Sequence, residues 1–140
     1  IKNLTIDSGF RGIFIANPTE DIIIDNVTID GSTYTISVDA GGNKNLTVTN
    51  STLNGWTSYA ATLANVSFTN CKFGEGNNYA FLRPYAPSTF ANCEFETGFK
   101  LDATKTSSIV LENCTVNGVA LTAENLTTLL GASAANAIVK

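Results

Sequence analysis

The feature that most constrains the fold of this 140-residue chain is a repeat of 20 to 24 residues. Each unit reads apolar-x-apolar-x-Asn, then small-x-apolar, with a glycine within a few residues. Five segments fit this pattern, one of them with Ser88 at the first apolar position: IIIDNVTIDG (22–31), LTVTNSTLNG (46–55), VSFTNCKFGEG (66–76), STFANCEFETG (88–98) and IVLENCTVNG (109–118). A further segment, LTIDSGF (4–10), resembles the unit with Ser8 in the place of Asn. Five units in phase predict a solenoid in which each repeat stacks on the next.

Apolar and polar residues alternate within each unit, which is typical of short β-strands. Before the Asn, the inward residues are predicted to be Leu4/Ile6, Ile22/Ile24, Leu46/Val48, Val66/Phe68 and Ile109/Leu111. After the Asn, they are predicted to be Val27/Ile29, Ser51/Leu53, Cys71/Phe73, Cys93/Phe95 and Cys114/Val116. A third strand after the glycine is predicted to bury Tyr34/Ile36, Tyr79/Phe81, Leu101 and Leu121. Three strands per turn would enclose a continuous apolar interior.

The asparagines mark a sharp bend between the first and second strands. They are Asn26, Asn50, Asn70, Asn92 and Asn113. Asn adopts positive φ more readily than most non-glycine residues. Because stacked strands lie ~4.8 Å apart, the side-chain amides of successive turns can hydrogen-bond to each other. We therefore predict a structural Asn ladder along one edge of the solenoid.

The three cysteines, Cys71, Cys93 and Cys114, follow three of these asparagines and take the inward position that Val27 and Ser51 hold in other turns. Stacked Cβ atoms ~4.8 Å apart suit a disulfide poorly, although an oxidised pair stays open. A zinc site would need a fourth ligand, and the chain contains no histidine. We expect buried thiols that pack as small apolar side chains, and no metal.

These apolar-x-apolar-x-Asn units resemble the right-handed parallel β-helix family, the pectate-lyase-like superfold, whose members carry an Asn ladder at one of their turns. The resemblance covers roughly residues 1–121. It implies an all-β fold, a right-handed parallel β-helix of about six turns. It leaves the activity open, because this fold carries lyases, hydrolases, adhesins and structural modules.

The last segment, residues 122–140, departs from the repeat but is expected to belong to the same domain. Its apolar residues have helical spacing between a Thr122 N-cap and a stop at Gly131: Ala123, Leu126, Leu129 and Leu130. The ANAIVK segment that follows can form one last strand. A short C-terminal helical cap would shield the open edge of the solenoid from pairing with other chains.

Composition excludes several classes of partner. Only 14% of the residues are charged and the net charge is −4, so the chain has no basic stripe for a nucleic acid. The apolar residues are scattered, and membrane insertion is not expected.

With no Met at position 1, we expect the chain to be part of a longer protein. Three of its Asn-x-Ser/Thr sequons are ladder positions where a glycan would break the ladder, Asn26, Asn50 and Asn113. This favours a bacterial source, secreted or at the cell surface.

Catalytic residues are not evident. The resemblance implies that an enzyme of this fold would use Ca²⁺-binding carboxylates with an Arg or Lys base, on a face that here offers only Arg83, Lys100 and Asp102. Asp7 and Asp25 are expected at the same outward place on neighbouring turns, where a solvated pair is favoured over a calcium site. Glycoside hydrolysis needs two facing carboxyl groups, and Asp102 has no evident partner. We expect no cofactor. The alternative is that the chain is a polysaccharide lyase or glycoside hydrolase, or a fragment of one, acting on acidic polysaccharide, and only then would calcium be expected to bind.

Binding is the better hypothesis. Aromatic and polar side chains are expected together near the glycine turn and the third strand: Trp56, Tyr59, Arg83, Tyr85, Lys100 and Asp102. Aromatic rings beside a few polar groups suit extended sugar chains. We expect a non-catalytic module. It would bind glycan, in a polysaccharide or on a host or cell surface, or bind another macromolecule. Alternatively, it would act as a rigid structural or adhesin stalk.

A Thr-rich face offers a further alternative, ice binding. Outward Thr and Ser residues line neighbouring turns: Thr47, Thr49, Ser67, Thr69 and Thr89. Ile23 and Asp25 on one side, and Val110 and Glu112 on the other, interrupt the patch. Outward Thr is also ordinary strand material, so this face does not lead the interpretation.

Overall fold

The computed structural model describes residues 1–7, 9–60, 62–106 and 108–140. The chain forms a parallel β-solenoid of about five turns, against the six expected. The strands form three rows along the solenoid axis. A bent sheet contains the first two rows, which are joined at the Asn positions, and a separate five-stranded sheet forms the third row. The fold class predicted from the repeat is confirmed.

The strand bounds follow the three rows. The first row contains the start of β3 (Ile22–Asp30), then β5 (Leu46–Thr49), β8 (Val66–Thr69), β11 (Ser88–Ala91), β14 (Ile109–Glu112) and β17 (Ile138–Val139). The second row contains β1 (Lys2–Asp7), the end of β3, β6 (Thr52–Asn54), β9 (Lys72–Gly74), β12 (Glu94–Phe95), β15 (Thr115–Val116) and, antiparallel, β16 (Val119–Ala120). The third row contains β2 (Arg11–Ala16), β4 (Tyr34–Ala40), β7 (Trp56–Tyr59), β10 (Phe81–Pro84) and β13 (Lys100–Leu101).

The predicted Asn bend is present in every turn. All five predicted asparagines adopt positive φ, between 51° and 55°. Asn113 Nδ2 donates to Asn92 Oδ1 at 2.7 Å, and Asn70 Nδ2 donates to Asn50 Oδ1 at 3.2 Å. Asn50 Nδ2 donates instead to a carboxylate oxygen of Asp25, at 3.0 Å. The ladder therefore joins the turns through side-chain amides while each Asn supplies the αL conformation of the bend.

The first segment was predicted to begin in the first row, and this was wrong because its strand lies in the second row. Leu4 lies in register with Val27, so β1 belongs to the second row. The Asn of this turn is therefore Asn3, which has φ 54° and accepts a hydrogen bond from Asn26 Nδ2 at 2.8 Å. Leu4 is 46% exposed because, among the described strands, β1 pairs only with β3. Ser8, the expected ladder residue, lies outside the described residues.

The same shift separates the two aspartates that were expected to be neighbours. Asp7 lies in register with Asp30, and Asp25 lies in register with Lys2. Asp25 accepts hydrogen bonds from Thr49 Oγ1 and from Asn50 Nδ2, which together hold the pKa of its carboxyl below the usual value. The prediction of an Asp7–Asp25 pair was therefore wrong, and Asp25 instead supports the Asn ladder.

The interior follows the predicted alternation in the first two rows. Phe68 and Phe90 stack in register with centroids 5.0 Å apart, and Phe73 and Phe95 stack at 4.9 Å. These four rings are at most 1% exposed. Because parallel in-register strands place like residues above each other, two phenylalanines in each of these two turns produce an aromatic core.

In the third row, three residues that were predicted to point inward do not. Tyr34 and Phe81 are only partly buried, and Tyr79 is 41% exposed, whereas each was expected inside. The inward positions belong instead to Thr57 and Leu82, which lie in register. Other predicted residues of this row are buried as expected: Ile36, Leu101 and Leu121.

The cysteines are buried, free thiols, as predicted. Each Sγ contacts the carbonyl oxygen two residues earlier; for Cys93 this is the oxygen of Ala91, at 3.4 Å. Ser51 Oγ donates to the equivalent oxygen of Thr49 at 2.8 Å. Interaction with the Cys114 and Cys71 thiols, together with burial, raises the pKa of Cys93. The column therefore needs a small side chain, which a thiol supplies as Val27 and Ser51 do in other turns.

Replacing Cys93 with Ser tests this interpretation. The Ser hydroxyl can donate to the Ala91 carbonyl as Ser51 does to Thr49, so we expect the free energy of unfolding to change by less than about 1 kcal/mol. The native wild-type thiols should react with a disulfide reagent only at the rate of unfolding, and all three should react at once in denaturant. Rapid thiol labelling of the native protein, or loss of folding in Cys93→Ser, would contradict the structural role.

The C-terminal segment caps the solenoid with less helix than predicted. The helix α1 spans Leu126–Leu130 and is followed by a 3₁₀ turn at Ala132–Ala134. Thr122 was predicted as the N-cap but instead closes the preceding turn, where Asn125 Oδ1 accepts from Thr122 N at 2.8 Å and Thr122 Oγ1 accepts from Asn125 N at 3.3 Å. The predicted stop at Gly131 and the last strand, β17, are both present.

Candidate binding surface

A column of five outward side chains crosses the outer face of the third row. In register from strand to strand, they are Arg11, Tyr34, Trp56, Phe81 and Lys100. Each is the first residue of its strand. In the three middle strands the next residue points into the core: Thr35, Thr57 and Leu82. We call these five residues the aromatic column. It has a cation at each end and three rings in the middle.

The rings of the aromatic column pack on each other. Tyr34 and Trp56 stack with centroids 4.9 Å apart and planes 27° apart, and Phe81 presents its edge to Trp56 at 5.4 Å. Two rings outside the column extend it: Phe10 meets Tyr34 edge-on at 5.4 Å, and Tyr79 stacks on Trp56 at 5.8 Å. Phe10 is 63% exposed. The surface therefore offers ring edges along the column, together with the freer rings of Phe10 and Tyr79.

Guanidinium groups lie over these rings. Arg83 Cζ is 5.1 Å from the Phe81 centroid and 5.3 Å from that of Trp56. Arg11 Cζ is 4.6 Å from the centroid of Phe14, a further exposed ring. Such contacts orient a cation by its attraction to the ring quadrupole. The positive charge on this face is thus held in place by the aromatic side chains.

Polar groups line the next outward positions of the same strands. Arg83 lies in register with Ser58, and its Nε is 3.4 Å from Asp102 Oδ2, in ion-pair rather than hydrogen-bond geometry. Asp102 Oδ1 accepts hydrogen bonds from the backbone N and the hydroxyl of Thr104. Although partial burial opposes it, these hydrogen bonds hold the pKa of Asp102 below its usual value.

A shallow cavity of about 280 Å³ continues this polar strip, and its lining includes Asp39, Ser58 and Tyr85. Tyr85 is 36% exposed at its rim. Tyr59 lines the inner side of the cavity but is 1% exposed, and its hydroxyl shares a 2.7 Å hydrogen bond with Ser88 Oγ. Burial raises the pKa of Tyr59 above its usual value. Its expected place among the exposed aromatic residues was therefore wrong.

Comparison with known families gives one result. A family model described as a right-handed beta helix region matches residues 2–136. The chain belongs to the right-handed β-helix family. Searches of curated proteins and of solved structures each return no match to this β-helix.

Most of the side chains named from the sequence lie on one face of the β-helix. Trp56 and Lys100 belong to the aromatic column, and Arg83, Tyr85 and Asp102 lie beside it. Sequence reasoning missed other members of this face: Arg11, Tyr34, Phe81, Asp39 and Ser58. Tyr34 and Phe81 were missed because they were predicted to be inward. The signal that could have revealed them is the placement of a bulky ring at the start of three successive third-row strands.

Two further features of the described part of the β-helix concern metals and membranes. Within residues 1–7, 9–60, 62–106 and 108–140, no three Cys, Asp or Glu side chains are grouped so that they could hold a metal ion. Among the same residues, no helix is long and apolar enough to cross a membrane.

Proposed function

We propose that the chain is a non-catalytic β-helix module of a secreted or cell-surface bacterial protein, and that it binds polysaccharide along the aromatic column. The observation that carries the proposal is the strand-to-strand register of Arg11, Tyr34, Trp56, Phe81 and Lys100. Four steps of ~4.8 Å give the column a length of roughly 19 Å. An extended sugar chain running parallel to the solenoid axis would contact all five strands.

The chemistry of the face suits a glycan. Sugar rings present apolar C–H surface beside hydroxyl groups, and the column presents partly exposed rings beside polar atoms. Phe10 and Tyr79 offer the larger free ring surface, while Ser58 and the cavity at Tyr85 and Asp39 can hydrogen-bond to hydroxyl groups. The stacked rings are held by parallel strands on a packed core, so the surface is formed before the ligand arrives.

Two features support a binding role over a catalytic one on this face. Asp102, the carboxylate expected here from the sequence, is engaged by Thr104 and lies beside Arg83. Arg83 itself lies over the Phe81 and Trp56 rings. Both groups are thus committed to orienting each other and the rings. The solenoid would also serve as a rigid support that presents this face at a cell surface.

A glycan array with wild type and Trp56→Ala tests this proposal. We expect wild type to bind a subset of polysaccharides, and Trp56→Ala to bind them about five- to thirtyfold more weakly, since stacking and cation–π contacts of this kind contribute ~1–2 kcal/mol. Ile23→Ala, which removes a 53%-exposed apolar side chain from the first row, is the control and should bind like wild type. Equal binding by Trp56→Ala, or no binding of wild type to any polysaccharide on the array, would contradict the proposal.

A further inference from the structure

The dipeptide Asn-Gly occurs twice in the chain, at Asn54–Gly55 and at Asn117–Gly118. In any such pair, the side-chain carbonyl carbon of Asn can form a ring with the backbone nitrogen of the next residue. Glycine permits this reaction best, because it has no Cβ beside that nitrogen and it restricts the backbone least. The two pairs share this chemistry, so their reactivity depends on what the fold does with each of them.

Asn117 and Gly118 form the two-residue loop of the hairpin between β15 and β16. Val116 and Val119 face each other across this loop, and its two residues have φ 47° and 78°. Positive φ at both positions is characteristic of the type I′ turn, for which Asn-Gly is a preferred pair. Both residues are exposed, and a Cβ built on Gly118 would meet no atom within 4 Å. The loop therefore projects into solvent.

This loop can reach the geometry that ring closure needs. The other common hairpin turn, type II′, also has positive φ at its first central residue. Rotation of the peptide group between Asn117 and Gly118 converts one turn into the other, since glycine accepts φ of either sign. The rotation brings Gly118 N to the same side of the main chain as the Asn117 side chain. Within the part of the chain that the structure describes, Gly118 N makes no hydrogen bond that this rotation would break.

The other Asn-Gly pair is held in the wall of the β-helix. Asn54 ends β6 and lies in register with Gly74. Gly55 N donates to the Gly74 oxygen at 2.9 Å. A Cβ built on Gly55 would lie 2.7 Å from Ser32 O, so the backbone of the preceding turn closes over this glycine. Gly55 N therefore cannot turn toward the Asn54 side chain while the strands stay paired.

We propose that Asn117 is a site of spontaneous deamidation, with water as the only co-reactant. Gly118 N loses its proton to solvent and forms a bond to Asn117 Cγ. The bond from Cγ to the side-chain nitrogen breaks, and ammonia leaves. The resulting cyclic succinimide adds one water molecule at either of its carbonyl groups. Ring opening then gives aspartate or isoaspartate, in which the main chain runs through the side-chain carbons, and nothing is oxidised or reduced.

The modification changes the C-terminal end of the second row. Asn117 lines the same outer surface as Glu94 and Glu96, so the new carboxylate adds negative charge beside theirs. Isoaspartate also lengthens the main chain of the loop by one carbon atom between Val116 and Val119. The aromatic column lies on the third row, so this site and its test do not depend on polysaccharide binding.

Incubation of the native protein at mildly alkaline pH, followed by peptide mapping with tandem mass spectrometry, tests the site. Alkaline pH favours the reaction because the attacking nitrogen must lose a proton. We expect the peptide that contains Asn117 to gain one mass unit and to give separate aspartate and isoaspartate forms. An isoaspartyl methyltransferase should label the second form. Asn54 should convert at least about tenfold more slowly, since its reaction first requires local opening of paired strands.

The unfolded chain is the matched reference. In denaturant no fold distinguishes the two pairs, so Asn54 and Asn117 should convert at similar rates. Asn117→Gly keeps a residue that accepts positive φ in the turn, and it should abolish the isoaspartate signal of this peptide. Equal conversion of Asn54 and Asn117 in the native protein would refute the assignment. An unchanged native Asn117 after the unfolded chain has converted, or an isoaspartate signal that persists in Asn117→Gly, would also refute it.

Discussion

Replacing Phe90 with Ala should lower the free energy of unfolding by about 3–5 kcal/mol. Phe90 has no exposed surface and stacks on Phe68 with planes only 3° apart. It also packs edge-on against Phe73 and at a tilt against Phe95, at centroid distances of 5.9 and 6.1 Å. The change removes a ring from the middle of an aromatic stack that the strand register prevents from closing over the gap. The loss therefore combines the transfer free energy of the ring with that of a cavity.

Urea unfolding followed by circular dichroism measures this effect. Phe10→Ala is the matched control, because it removes the same side chain from a site that is 63% exposed. We expect the control to lose less than about 1 kcal/mol, mainly its edge contact with Tyr34. Similar losses for Phe90→Ala and Phe10→Ala would show that the interior is not packed as described.

Replacing Asn92 with Ala should destabilise the protein by about 2 kcal/mol. Asn92 holds φ 53°, a conformation that costs other L-residues roughly 1–2 kcal/mol. Its Oδ1 also accepts the 2.7 Å hydrogen bond from Asn113 Nδ2, which contributes about 1 kcal/mol. Both contributions are lost in Asn92→Ala.

Asn92→Gly separates the two contributions. Glycine adopts positive φ without strain but offers no amide to the ladder, so Asn92→Gly should be more stable than Asn92→Ala and less stable than wild type. Thermal and urea midpoints of the three proteins give the order. If Ala and Gly destabilise equally, backbone strain has no part in the bend, and if neither destabilises, the ladder does not contribute to stability.

The sequence predicted the elements that depend on local chemistry. An Asn at each bend is required by the αL backbone, so five asparagines in phase located the bends before any tertiary contact was known. The inward residues of the first two rows followed, because an alternation that starts from a fixed bend has a fixed phase. The cysteine column was located in the same way, one position after the Asn.

The inward residues of the third row could not be predicted in this way. It follows loops of unequal length, and its inward positions include polar residues: Thr35 and Thr57 are buried and share a hydrogen bond between their hydroxyls. The outward first positions of three strands carry Tyr34, Trp56 and Phe81, so an apolar residue in this row does not by itself mark an inward position. Asn3 was missed for a related reason, since only two residues precede it and the apolar half of the repeat is not there to mark it.

The binding surface depends on register, which sequence alone did not supply. Arg11 and Lys100 are 89 residues apart and stand at the two ends of one column only because four strand pairings align them.

We propose that the chain binds polysaccharide on the third-row face and leaves it intact. As a test, the protein is incubated with each polysaccharide that binds on the array, with and without Ca²⁺. Binding is followed by affinity electrophoresis, and product formation by reducing-end assay and ultraviolet absorbance. We predict retarded migration that is lost in Trp56→Ala, with no new reducing ends and no unsaturated products. Release of either product by wild type, or unretarded migration with every polysaccharide, would contradict the claim.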